Sequence, residues 1–512
     1  MLAGPPAREF GVNNTPSGGL RLDATPSPRR ARIPCLDPLD PQARDLRREE
    51  QRVEARSGAF KKELGLVDLA LTQVLFIIGL PWIGVAAKQG PSHVVLWLGA
   101  MLFFYVPSAL VVTWLNRLMP LEGGLYQWAK LGGSELLGFL VAWNLWLFAI
   151  LNISEIGLQV TQYLRYVLGP GVAALTANKA FIGAVNLAMI GALVLLTTIG
   201  LGAGKWLHKA GGALMLLTFL AIVALPWLNV AHGSLAAYHP LRTAVPAMSL
   251  LTLNLFGKLG FGALGGFEYV AIHAGECRDP VRTITRSVAL AAPVIAAMFI
   301  LGTSSVLALV PRAQIDLIAP IPQVLSEGFG ALRVAAPIAP LAILALLCIR
   351  VAQSSVIFAG NSRLPMVAGW DRLLPESLTR LHARFRTPVN SILFVGAVTL
   401  VLSLVGLIGV GKQEAFQLLW NASGVFYALP YLAMFAIPLF GLRGVQPRPP
   451  AALRACALSG LLMTVLYVTV SIVPLVEVQS RVLFAAKISG LIVVTNALGL
   501  TIYLIRARVH RQ

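Results

Sequence analysis

The chain has 512 residues, of which 57% are hydrophobic and 12% charged, with mean hydropathy +0.75; ordinary soluble domains carry about 25% charged residues. That balance belongs in lipid and excludes an ordinary soluble domain. The net charge of +19 does not make the chain a nucleic-acid binder, because its 41 Lys and Arg residues are scattered between long apolar runs instead of gathered on one water-facing surface.

Residues 1–60 carry Pro5, Pro6, Pro16, Pro26, Pro28, Pro34, Pro38 and Pro41, many arginines and hardly any apolar periodicity. This is the composition of a disordered tail. It lacks the apolar core of a cleaved signal peptide, so the first long apolar segment is expected to stay in place as a signal anchor. A bilayer core about 30 Å thick needs roughly 20 apolar helical residues. Twelve such runs follow, near 66–87, 93–115, 135–164, 180–200, 210–230, 249–275, 287–310, 335–360, 388–410, 414–440, 453–475 and 482–505, and are numbered spans 1 to 12. Twelve of the basic residues precede span 1 and eighteen more lie in the loops after even-numbered spans and in the C-terminal tail, against nine on the other side. Basic residues in short loops are retained in the cytoplasm, so both termini are expected there.

Span 1 contains Gly79, Pro81 and Gly84 in the run FIIGLPWIG. Proline removes an amide donor and clashes with the preceding turn, so the helix is expected to break at Pro81. Span 6 contains Gly257, Gly260, Gly262, Gly265 and Gly266, a density of glycine that also predicts unwinding. Spans 1 and 6 open two sets of five helices, and interruptions at matching points of two repeats mark a transporter's substrate site. Unwound backbone survives in lipid only where it is buried or lines a polar cavity. Exposed amides there attract a carboxylate and exposed carbonyls attract an amine, which together suit a zwitterion. The candidate substrate-binding residues are Ile78, Gly79, Leu80, Trp82, Gly84, Lys258, Phe261, Gly262, Ala263, Gly265 and Gly266. The alternative is that the glycines only allow close helix packing.

Three further segments carry a resemblance: Pro120-Leu-Glu-Gly123-Gly124-Leu-Tyr126-Gln-Trp128; Gly266-Phe267-Glu268 with Glu276-Cys-Arg278-Asp279-Pro280; and Ser362-Arg363 with Trp370-Asp371-Arg372-Leu-Leu-Pro375. They are similar to the Pro-x-x-Gly-Gly-x-Tyr, Gly-x-Glu, Glu-x-Lys-Asn-Pro, Ser-Arg and Asp-Gly-x-Leu-Pro elements of the amino acid-polyamine-organocation superfamily of permeases. Residues 60–505 resemble that superfamily, with its glutamate/GABA antiporter-like branch as a candidate assignment. The resemblance implies an all-α membrane protein with a LeuT-like five-plus-five inverted repeat in residues 61–445, two extra helices in 446–512, and substrate held between spans 1 and 6 during alternating access. Two departures stand out. Gly79-Leu80-Pro81 replaces the family's Gly-x-Gly, which weakens carboxylate capture, and Gly262-Ala263-Leu264 replaces aromatic positions, leaving a wider pocket or a lid supplied by Trp82, Phe261 or Phe267.

Ionisable residues inside a bilayer are functional candidates, and four fall in predicted spans: Glu155, Lys258, Glu268 and Arg350. Glu268, just after the second break, is the first candidate for a proton carrier, with a structural hydrogen bond as its alternative. Lys258 either attracts an acidic substrate group or pairs with Glu155. Arg350 shares a helical face with Ser354 and Asn361. In cation-coupled relatives span 8 and span 1 hold a sodium ion, so its guanidinium either replaces that ion or forms a structural ion pair. Asn144, Asn152 and Gln159 in span 3 are weaker candidates.

Cys35, Cys277, Cys348 and Cys456 lack metal-site or disulfide-framework spacing and read as free, buried thiols. Neither H-E-x-x-H nor a Walker lysine motif occurs, so no metal, cofactor or ATP is expected. The expectation is a proton-coupled or exchanging permease of the cytoplasmic membrane for an amino acid or related zwitterion. Its rivals are a polyamine or amine carrier, a non-transporting sensor, a membrane enzyme and a six-plus-six carrier.

Overall fold

The computed structural model describes residues 64–333, 337–366, 374–405, 412–441, 449–474 and 480–509, with isolated positions between 48 and 55. Most of the predicted N-terminal tail, Cys35 and the Trp370-Asp371-Arg372 part of the third motif lie outside the described residues. Ten described helices are long and apolar enough to cross a membrane, and a bent pair, Leu66–Ile77 with Leu80–Ala87, forms another span. The seventeen-residue apolar helix Val389–Val405 takes the place of span 9. Each therefore falls on one of the twelve predicted runs.

Local chemistry sets several ends. Span 3, Glu135–Leu168, starts where Leu137 N donates to Ser134 Oγ, and span 4, Lys179–Ile199, where Ala180 N donates to Asn178 Oδ1. Span 7, Pro280–Leu309, begins with Asp279 accepting from Arg282 N and proline in the first turn, which explains the Asp-Pro pair in its motif.

The bundle core gathers around span 6, Leu250–Glu276, whose apolar window is 72% buried, while span 12, Arg481–Arg506, is 11% buried and lies at the periphery. Span 10, Lys412–Phe440, packs along span 3 and span 11 (Ala451–Ser471), and span 8, Ile338–Met366, packs along span 5 (Trp206–His232). Leu102, Phe103, Val106 and Leu110 of span 2, Gly90–Leu118, are exposed, as an apolar lipid-facing surface requires. Cys277 is buried, whereas Cys348 is exposed on span 8, contrary to the expectation that all the thiols are buried.

Candidate substrate site

Span 1 bends by 46° between its halves, with Ile78 and Gly79 in extended conformation. The break precedes Pro81, which sits in the first turn of the second half-helix. This corrects the expected position: a missing amide is harmless in a first helical turn, where amides lack intrahelical partners anyway. Span 6 runs as α-helix over Leu250–Gly257 and as π-helix over Lys258–Ala263, loses helical geometry at Gly265 and Gly266, and resumes as 3-10 helix over Phe267–Glu276. Gly266 has φ 144°, and a Cβ there would lie 2.5 Å from Ile77 of span 1.

Trp82 bridges the breaks. A Cβ on Gly79 would lie 2.7 Å from its Cδ1, and a Cβ on Gly262 would lie 2.7 Å from its Cη2. The two glycines thus make room for opposite edges of one indole. Both breaks face a cavity of ≈ 80 Å³ between spans 1, 3, 6, 8, 10 and 11, lined among others by Trp82, Gln159, Tyr163, Gly262, Arg350 and Gln353. Gly79, Leu80, Phe261 and Gly265 line it too. Of the other substrate candidates, Ile78, Gly84, Lys258, Ala263 and Gly266 do not. Gly84 faces Pro320, at the start of the short helix Pro320–Ala331, leaving no room for a larger side chain.

The backbone at the breaks is largely satisfied from within. Gly79 N donates to Ile77 O (2.9 Å), Gly265 N to Phe261 O (2.9 Å) and Gly266 N to Tyr431 Oη (2.7 Å). Gln353 Nε2 donates to Leu75 O (2.9 Å) and Ile78 O (2.8 Å), so a neutral amide from span 8 caps the end of the first half-helix. Two of the polar atoms without a hydrogen-bond partner on cavity-lining residues lie on span 3, Asn152 Oδ1 and Gln159 Oε1. Asn152, Gln159 and Tyr163 are seven and eleven residues apart, which places them on one helical face.

The intramembrane charges are sorted differently from expectation. Arg350 Nη2 meets Glu155 Oε1 at 2.5 Å and approaches Asn152 O at 3.4 Å. Arg350 therefore faces span 3, and Gln353, three residues further along span 8, occupies the span 1 carbonyls. Lys258 is not Glu155's partner; its Nζ donates to Val473 O at 3.2 Å. Glu155 is engaged by the guanidinium, a bidentate-capable donor better suited than an ammonium to a buried carboxylate. Ser354 Oγ is buried without a partner, and Asn361 donates to Tyr269 Oη. Glu268 lies outside the cavity lining, caged by Tyr427, which donates to Oε1 at 2.5 Å, and Tyr431, which donates to Oε2. Sequence reasoning missed Gln353, Trp420, Tyr427 and Tyr431; their types are common in apolar helices, and only the fold shows what they face.

A second cavity of ≈ 700 Å³ lies beyond Trp82 and Trp420, toward the Val85 end of span 1. The two indoles, with ring centres 5.7 Å apart, line both spaces and separate them. Its outer wall is the 313–318 stretch, where Asp316 accepts from Gln162, Tyr166, Ile318 N and Ala319 N. Lys88 and Arg312 clasp each other through Lys88 Nζ on Arg312 O and Arg312 Nη2 on Lys88 O. Burial, followed by the Arg312 charge, holds the Lys88 ammonium below its ordinary pKa.

At the opposite end the three motif segments converge on the 3-10 half of span 6. Gly275 N donates to Glu122 Oε2 (2.7 Å), Arg363 pairs with Glu276, and Leu64 N donates to Glu276 O (3.2 Å). Gly124, at φ 45°, lies so near Ala271 that a Cβ would come within 2.9 Å of its carbonyl carbon. Among the described residues no group of His, Cys, Asp and Glu forms a metal site.

Two interrupted helices meeting at one cavity, inside a bundle of apolar spans, define a membrane carrier built on a LeuT-type repeat. Residues 64–495 match the amino acid permease family, and the chain belongs to that family. It is a multi-pass membrane protein and a secondary transporter of amino acids or amines. An uncharacterized transporter of Legionella pneumophila is 25% identical over 76% of this chain and 83% of its own. The branched-chain amino acid permease BcaP of Bacillus subtilis is 22% identical over 72% of this chain and 82% of its own. The probable agmatine/putrescine antiporter AguD of Lactococcus lactis is 19% identical over 78% of this chain and 84% of its own. The crystal structure of MhsT in complex with L-phenylalanine shares the fold at TM-score 0.55, with 14% identity over 80% of this chain and 99% of that one. These relatives do not assign the chain to the glutamate/GABA antiporter-like branch.

Proposed function

We propose that the protein carries an amino acid or related small zwitterion across the cytoplasmic membrane by alternating access, with residues 61–445 as the transport core and both termini in the cytoplasm. The observation that carries this reading is the meeting of both broken spans at one cavity closed by Trp82. The solute occupies that cavity, with Gly79, Leu80, Trp82, Phe261, Gly262 and Gly265 around it and the Asn152, Gln159 and Tyr163 face of span 3 offering polar contacts. Coupling is to protons or to counter-exchange. Gln353 supports the absence of sodium coupling, since its amide takes the span 1 carbonyls to which a cation would bind. Glu268, buried between two phenol hydroxyls that can pass a proton to its carboxylate, is the proposed proton site.

The test is counterflow in proteoliposomes with a labelled panel of amino acids, decarboxylated amines and small organic acids at two pH values. Uptake of an amino acid supports the proposal; exclusive uptake of putrescine or agmatine replaces it with an amine carrier; no flux of any solute removes it. Relatives include both a branched-chain amino acid permease and a probable agmatine/putrescine antiporter, which is why both classes belong in the panel.

A further inference from the structure

The outer cavity differs in electrostatic character from the central one. Lys88, Arg165 and Lys258 contribute three basic side chains to its lining, against one acid, Asp316. Asp316 is held by neutral donors, one carboxylate oxygen accepting from Gln162 (2.9 Å) and Tyr166 (3.0 Å) and the other from Ile318 N (2.9 Å) and Ala319 N (3.1 Å), and as the single acid it leaves the lining with an excess of basic groups. Lys258 stands apart from the other two bases. It is 1% exposed, and among the described residues its ammonium forms no ion pair with a carboxylate. Its hydrogen bond to Val473 O uses one of three N–H donors.

A buried ammonium without a counter-charge is unfavourable unless an anion arrives to pair with it. Here the space for that anion exists: Lys258 shares the outer cavity with Trp82 and Trp420, the two rings that separate it from the central cavity. Along span 6 it lies four residues before Gly262, on the outer side of the indole that Gly262 accommodates. An anionic group held at Lys258 therefore lies in the space that the two indoles part from the central cavity. A cleft lined mostly by one sign of charge raises the local concentration of oppositely charged solutes and speeds their entry.

Resting on the proposed transport function, we infer that the solute is an acidic amino acid, and that Lys258 receives its side-chain carboxylate in the outer cavity before the solute passes Trp82 and Trp420. A neutral amino acid brings no second carboxylate for this position, and a polyamine is repelled by it. The α-carboxylate alone does not account for selectivity, because every amino acid has one. Lys258 is thus a specificity-determining residue of entry, separate from the groups that line the central cavity.

The experiment uses the full chain in proteoliposomes, with glutamate against glutamine and aspartate against asparagine as charged and neutral near-isosteres, and leucine and agmatine as further probes. The wild type is expected to take up glutamate or aspartate in preference to the matching amide by at least about tenfold in kcat/KM. In Lys258→Met the KM for the acid is expected to rise at least about tenfold relative to that for the amide, with the change in KM and not in kcat; Lys258→Arg restores most of the loss. Preferential uptake of an amide, leucine or agmatine by the wild type overturns the inference and leaves the transport function standing. So does an unchanged acid KM in folded Lys258→Met. Absence of flux for every probe overturns the inference, and if it extends to the whole panel used above it overturns the transport function too. Because the comparison of acids with amides needs only the wild-type protein, it decides the matter even where Lys258→Met does not fold.

Discussion

Gly262→Ala tests the geometry on which the central site depends. The added methyl carbon would lie 2.7 Å from Trp82 Cη2, 2.8 Å from Trp82 Cζ2 and 2.9 Å from Tyr467 Cε2, all inside normal contact distance. The indole has little room to retreat, because its opposite edge lies against Gly79, 2.7 Å from where a Cβ would stand, and moving that way brings it onto the span 1 backbone. The ring is confined from two sides by two helix breaks. Overpacking of this kind costs about 1–3 kcal/mol, and if the strain falls on the arrangement with Trp82 over the cavity, that conformer loses population by about 5- to 150-fold. The assay is counterflow of the best substrate, with substrate-dependent tryptophan fluorescence as a second readout. Gly191→Ala, at a position with nothing within 4 Å of an added Cβ, serves as the control and is expected to be silent. Gly262→Ala with uptake within about twofold of wild type would mean that the space filled by Trp82 is not the space the solute uses.

Gln353→Leu removes the donor to Leu75 O and Ile78 O, and each buried carbonyl left unpaired costs about 1–3 kcal/mol; a lower melting temperature in detergent checks it. Replacing external sodium with choline is expected to leave wild-type uptake unchanged, and a strict sodium requirement would contradict the role given to that amide. Arg350→Met and Glu155→Gln are each expected to destabilise by about 3–5 kcal/mol, with the double variant recovering part of the loss; additive losses in a thermal unfolding cycle would deny the ion pair. For proton symport, uptake rises as external pH falls, and Glu268→Gln is expected to flatten that dependence while both tyrosines keep an oxygen or amide to bond. An unchanged profile assigns the proton elsewhere.

Much of the architecture was legible because lipid imposes one rule on every span, a run of apolar residues long enough to satisfy its own backbone. The second break was legible from Gly262, Gly265 and Gly266, where no Cβ restricts the chain. The first was displaced because Pro81 carries two opposite meanings: it ends a helix from within, yet suits the first turn of a new one. The partners of the buried charges were not legible. Glu155 had two basic candidates at similar membrane depth, and the choice of Arg350 over Lys258 depends on how span 8 is rotated against span 3. Gln353 gave no signal beyond a lone amide in an apolar helix, and Tyr427 and Tyr431 read as ordinary span 10 aromatics until the turn of span 6 placed Glu268 between them.

The 3-10 stretch at the Glu276 end of span 6 is tied to the segment before span 1, to the turn before span 3 and to the end of span 8. Releasing any one tie leaves the others in place, so partial opening gains little room while already exposing a broken polar contact. Such an arrangement favours two well-separated conformers over a continuum, and a carrier that passes abruptly from shut to open leaves few states through which ions can leak.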